Sequence, residues 1–200
     1  MSRNFRGVLW IALGVLVLAA PPFAVAEEKA KQTTTQKSDG GTFKEDEIYK
    51  EASKFFGKGA EGLGKVIKKT FKEQGEPNAY IKGDEGGGAI GVGLRYGKGK
   101  LMLHGGGESD VYWQGPSIGF DIGGNAAKVF VLIYKLKDSE KLFQRYPGVE
   151  GSLYFVGGVG VRYLRTDGIT VAPVQMGVGW RQGANVGYMH FTRTKRINPF

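Results

Sequence analysis

Ala89–Tyr96 reads AIGVGLRY, and its alternation decides the class of fold. Successive side chains of a strand point to opposite faces. Ile90, Val92 and Leu94 therefore share one face, and Gly91 and Gly93 leave the other bare. Val159-Gly160-Val161 and Met176-Gly177-Val178-Gly179-Trp180 repeat the pattern. A bare strand face lets another surface come close. The candidates are a helix, the facing wall of a tightly curved barrel, or a lipid chain.

Outward from that stretch, short β-branched and aromatic runs alternate with Gly, Asp and Asn turns. They are Ala79–Lys82, Ala89–Tyr96, Lys100–His104, Val111–Gln114, Ser117–Ile122, Lys128–Leu136, Ser152–Arg165, Ile169–Gln182 and Asn185–Arg193. Runs at this spacing predict a mainly β protein: a small antiparallel β-barrel or curved sandwich of about 8–10 strands. One short helix is expected near 138–146, stopped by Pro147-Gly148. Upstream the period changes. Ile48, Ala52, Phe55, Phe56, Ala60, Leu63, Val66, Ile67 and Phe71 recur every three or four residues, with lysines mainly between them. That is an amphipathic helix, or two joined at the glycines, and Gly75 and Pro77 end it.

Gly59–Val66, GAEGLGKV, comes within one residue of a phosphate-binding P-loop. A P-loop follows a buried strand and carries Ser or Thr after its Lys. Here amphipathic helix precedes it and Val66 takes the hydroxyl position. No nucleotide is expected. The glycines are better explained by a helix that bends or lies close against another backbone.

The N-terminus predicts export. Arg3 and Arg6 precede the apolar run Val8–Ala20, and Ala24-Val25-Ala26 is a small-x-small cleavage site. The run is about 13 residues, short of a bilayer span. Residues 1–26 are expected to be a signal peptide cut after Ala26, residues 27–42 a disordered leader, and residues 43–200 a single barrel domain with its N-terminal helix at 43–75. No transmembrane segment is expected after cleavage, and the expected location is periplasmic. Cleavage would lower the formal charge from +9 to +7. That charge suits anionic lipid head groups or acidic polysaccharide, and export argues against nucleic acid. The chain has no cysteine, which removes disulfides, thiol nucleophiles and cysteine metal sites.

Candidate chemistry is sparse. His104 and His190 are the only histidines, too few for the three or four ligands of a metal site, so neither metal nor cofactor is expected. Asp84, Glu85, Asp110, Asp121 and Glu150 could supply the two carboxylates of glycoside hydrolysis. Asp121 stands out, flanked by Phe120 and Ile122, and could meet Arg95, Arg162 or Arg181; a structural ion pair is the commoner outcome. Ser117 has no evident His and acid partners for a triad. Tyr112, Trp113, Tyr154, Phe155, Trp180 and Tyr188 could line a sugar or lipid cleft, although such aromatics more often pack. Tyr112, Trp113, Trp180 and Tyr188, with Arg95 and Asp121, form the candidate ligand-binding set. No catalytic residue is assigned.

At Tyr112-Trp113-Gln114-Gly115-Pro116-Ser117-Ile118-Gly119-Phe120-Asp121 the chain resembles the EipA-like envelope integrity family of Gram-negative bacteria, catalogued as a domain of unknown function. The resemblance covers residues 43–200. It includes Phe55-Phe56-Gly57, Gly75–Ile81, Leu94–Gly97, Arg145–Ser152, Gly183–Tyr188 and Asn198-Pro199-Phe200. It implies a soluble periplasmic β-barrel that supports envelope integrity, with no known catalytic residues. A second similarity, to the lipid-binding SYLF domain, rests on Tyr96–Leu101, Pro116–Gly119, Gly123 and Val129–Ile133. The expected function is therefore non-enzymatic support of the cell envelope, with a lipid or envelope glycan as possible ligand and envelope proteins as possible partners. The alternatives are a structural or interaction protein without a small ligand, and an enzyme acting on envelope polysaccharide.

Overall fold

In the computed structural model, the structure describes residues 37–57, 61–121, 127–176 and 187–196, with side chains at 88–93 and 117–121 excepted. The expected signal peptide, residues 27–36 of the expected leader, and Trp180 with its glycine run at 177–179 lie outside the described residues.

The helical stretch is two helices, α1 (Glu45–Phe56) and α2 (Leu63–Gln74). Three acids fill the first turn of α1, where they suit the positive end of the helix dipole. Gly57 ends α1 at φ +87°, in the region glycine enters freely. Gly62 opens α2 with its backbone packed on the Val156 carbonyl and Gly157, so that even a methyl there would collide. Gly57 thus serves a helix end, and Gly62, in the P-loop-like stretch, a close approach.

Among the described residues nine strands follow: β1 (Ala79–Leu103), β2 (Glu108–Asp121), β3 (Ala127–Tyr134), β4 (Arg145–Pro147), β5 (Tyr154–Val156), β6 (Val159–Val161), β7 (Leu164–Thr166), β8 (Ile169–Met176) and β9 (Tyr188–Thr192). The helix expected near 138–146 is shorter, a 3-10 turn at Ser139–Leu142 capped by the Asp138 carboxylate, which accepts from Glu140 N–H at 2.9 Å. All ladders are antiparallel, in the order β4-β9-β2-β1-β3-β8-β6-β5, with β7 also on β8. The sheet curls into a half-barrel. Its β4 edge reaches round to β7: Gly148 bridges Leu164, and Val149 N–H donates to the Tyr163 carbonyl at 2.9 Å.

β1 is too long to run straight through so small a domain, and it doubles back. His104 N–H donates to the Asn78 carbonyl at 3.0 Å, joining its two ends. Gly83 lies against Lys98 and Gly99, and Gly87 against Leu94 and Arg95. The first half pairs with β3 and the second with β2.

Alternation gives this sheet two cores. Inside the curl lie Ile81, Leu101, Val111, Trp113, Val129, Val131, Ile133, Val171, Met189 and Phe191. On the outer face, Tyr80, Phe130, Leu132, Ala172 and Val174 pack under Ile48, Ala52, Leu63, Val66 and Ile67 of the helices. Each fully buried Leu or Ile contributes about 1.5–3 kcal/mol of hydrophobic stabilisation. Tyr163 ties α2 to the sheet by donating to Glu73 at 2.7 Å. Residues just before α1 are also held. Lys37 bridges Asp138, and Asp39 lies 3.0 Å from His104 Nδ1.

Candidate functional site

The inner face is apolar along most of its length and then changes. On β1, Ala79 and Ile81 point inward and Gly83 follows. The next residue of the same parity is Glu85. On the returning half, Leu103 and Leu101 give way to Gly97 and then Arg95. On β8, Val171 gives way to Gln175, which sits opposite Val129 on β3 and Gly160 on β6. One polar layer therefore crosses the end of the inner core nearest the bend of β1.

Glu85 is its centre. Trp113 Nε1 donates to one carboxylate oxygen at 2.7 Å, and Gln175 Nε2 donates to the other at 3.0 Å. Arg95 Nη1 stands 3.9 Å from that second oxygen. The Trp113 indole lies in a slot between Gly83 and Gly97, where any side chain would strike the ring. At these two positions the bared strand face holds an indole.

Arg162, just past β6, completes the layer. Arg95 is 8% exposed and Arg162 3%. Burial pushes the Arg162 guanidinium down to about 9, Arg95 pushes it the same way, and Glu85 opposes them. The Nε and Nη2 groups of both arginines are buried without a hydrogen-bond partner in the protein. These two N–H groups form one edge of the guanidinium plane, the edge that grips a carboxylate or phosphate with two parallel bonds. Among the described residues, two arginines share one carboxylate, which leaves a buried surplus of positive charge. An uncompensated buried charge costs several kcal/mol.

The layer gathers two of the candidate residues, Arg95 and Trp113. Tyr112 and Tyr188 alternate with the inward residues Trp113 and Met189, so they sit half-buried on the other face of the sheet. Tyr188 there lies under the Arg145 guanidinium, 5.0 Å from its ring centre. Asp121, paired with Ala89, is the last residue of β2, at the end where the polar layer lies; its side chain is outside the described residues, as is all of Trp180. Gln175 was not legible as a site residue. Glu85 and Arg162 stood out only as one carboxylate and one arginine among several, since the run GDEGGG around Glu85 has the composition of a turn. Its parity with Ile81 was the available signal. Among the described residues, no three His, Asp or Glu side chains gather as a metal site, and no helix is long and apolar enough to cross a membrane.

The family model for envelope integrity protein A matches residues 41–200. The chain belongs to the envelope integrity protein A family. A crystal structure of a β-barrel-like, uncharacterized protein from Brucella abortus is similar to it, with 39% sequence identity and a TM-score of 0.73. The match covers 80% of this chain and 99% of that one. No curated protein matches the chain. The family resemblance drawn from Tyr112–Asp121 and the barrel expectation both hold.

Proposed function

We propose that this protein is a non-enzymatic component of the cell envelope, acting in the periplasm, whose half-barrel holds the polar end of an envelope lipid or glycan. Membership of the envelope integrity family supports the envelope role. The observation that carries binding is the polar layer: an apolar inner wall ends in buried hydrogen-bonding groups with more positive than negative charge. Such a layer suits the anionic end of a molecule whose remainder lies outside the packed wall. Glu85 has the contacts of a held anion, engaged by Trp113, Gln175 and Arg95, rather than those of an acid poised over a scissile bond.

The test is to purify the protein from the periplasm without detergent, extract it with organic solvent and examine the extract by mass spectrometry beside a blank. A stoichiometric lipid or glycolipid is the expected result. An empty protein that melts cooperatively would overturn the reading in favour of a second one, a structural protein that contacts envelope proteins. That second reading is supported by the glycine faces around Trp113 and Gly62, which are filled by packing.

A further inference from the structure

We infer that Arg95 and Arg162 form a buried oxyanion site, which takes a phosphate or carboxylate group between the free edges of their guanidinium planes. The inference rests on the binding reading above and names the chemistry it recognises. Three observations carry it.

The first is the pattern of missing bonds. In each arginine the unpartnered atoms are Nε and Nη2, the pair that donates side by side. Arg95 turns a different nitrogen, Nη1, towards Glu85. The acid present in the layer thus leaves the bidentate edge of Arg95 unused. A planar pair of oxygens, as in carboxylate or phosphate, matches that edge in spacing and charge. A neutral hydroxyl or amide would leave the surplus charge uncompensated.

The second is the surrounding charge. Glu85 is the one acid whose contacts within the layer are described, and its two oxygens are engaged by Trp113, Gln175 and Arg95. Its single charge acts on both arginines, so among the described residues one positive charge is left over. Moving one guanidinium away from water without a counter-ion is costly, and placing a second beside it adds repulsion. A bound oxyanion removes both penalties at once.

The third is placement. The layer lies where the apolar inner wall ends, at the end of the half-barrel where β1 bends, β2 finishes and β3 begins. Trp113 and the apolar wall are fully buried, so the rest of a molecule whose anionic group is seated there would leave by the near end. Glu85 then tunes the site. It holds Arg95 by its other nitrogen and repels an anion that is too highly charged.

The chemistry is shared by an anionic lipid head group and by a free inorganic or sugar-borne anion, so the experiment separates the sources. Full-length protein, purified as its host processes it, is titrated with inorganic phosphate and with acetate at constant ionic strength, the balance being chloride. Melting temperature and tryptophan emission are followed. Phosphatidylglycerol vesicles, with phosphatidylcholine vesicles as control, form the second arm. The expected result is saturable stabilisation by phosphate or acetate. Arg162→Lys, which keeps the charge and loses the fork, should weaken it about tenfold or more, the loss expected for a charge-assisted bidentate pair. Glu85→Gln should tighten it. Arg95→Gln should abolish it, and if that variant fails to fold, Arg95→Lys serves as the second variant. No saturable response to either anion, or an unchanged response in Arg162→Lys, would overturn the site. Anion binding without vesicle binding or a co-purified lipid would leave the site standing and remove the lipid reading. A co-purified lipid that phosphate does not displace and Arg162→Lys does not weaken would do the reverse.

Discussion

The two faces of one sheet are built from neighbouring residues and solve different problems. On β3, Phe130, Leu132 and Tyr134 face the helices, while Val129, Val131 and Ile133 face the interior of the curl. The outer face is closed by apolar and aromatic contact: Tyr80 stacks on Phe130 with centroids 5.1 Å apart, and Phe55 and Phe56 tilt over the same ring. Its polar groups find partners at the margin, as Glu73 does with Tyr163 and Lys69. The inner face begins the same way and then admits Glu85, Arg95, Arg162 and Gln175. A face selected only for stability would continue apolar, because replacing buried ion clusters with packed hydrophobic residues is often neutral or stabilising. The difference sets an outer face that is scaffold against an inner layer that, on the proposed reading, serves binding.

The comparison breaks first at Trp113. It belongs to both inner regions, packing on Phe191 with centroids 6.2 Å apart and donating to Glu85. Trp113→Ala should lower stability by about 3–5 kcal/mol in urea unfolding, since it empties the slot between Gly83 and Gly97. A loss under about 1 kcal/mol would mean that the inner wall is not a packed core.

Adjacent residues of β3 sharpen it next. Leu132→Ala on the outer face and Ile133→Ala on the inner face each remove a fully buried side chain, and each should cost about 2–5 kcal/mol. Similar losses would show that both faces are core where both are apolar. If only Leu132→Ala were costly, the inner wall would be a lumen.

Gly62→Val tests whether the helices are fixed on the sheet. Its side chain would meet the Val156 carbonyl, and the forced shift should cost about 1–3 kcal/mol. Unchanged unfolding would show that the link between α1 and α2 yields freely.

The smallest effect belongs to the margin. Hydrogen bonds from Lys69 and then Tyr163 hold the Glu73 carboxyl below its ordinary 4.5, and Lys82 does the same for Glu51. A lowered carboxylate contributes stability that is present above the unfolded value and lost as pH falls through the folded one. Stability should therefore hold down to about pH 5 and decline below it. Glu73→Gln should flatten that decline by less than about 1 kcal/mol, because the pair is partly exposed. An identical acid limb in Glu73→Gln would remove this contact from the balance.

Much of the fold was legible because period and parity are local. The 3.6-residue recurrence found both helices, and the glycines between Gly57 and Gly62 marked their break. Period-two runs located most strands. What escaped was non-local. Three apolar runs from Ala79 to His104 belong to one strand that doubles back, because its halves find different neighbours in β3 and β2. The single run Ser152–Arg165 divides into β5, β6 and β7, interrupted at Gly157-Gly158 and again at Arg162-Tyr163, whose side chains go to opposite cores. Candidate residues suffered from the same limit. Trp113 and Arg95 could be named by type, but Tyr112 and Tyr188 could not be sent to the other face until the register was known. Glu85 was hidden among glycines that looked like a turn.

Arg162→Met is the most direct measurement of whether the inner polar layer serves binding rather than folding. Methionine keeps an unbranched apolar stem and removes the surplus charge, leaving Glu85 with Arg95. Urea unfolding in chloride buffer without phosphate should then show stability equal to or above that of the parent protein. A loss of about 3–5 kcal/mol would contradict the account, making Arg162 a satisfied structural partner and the layer a part of the scaffold.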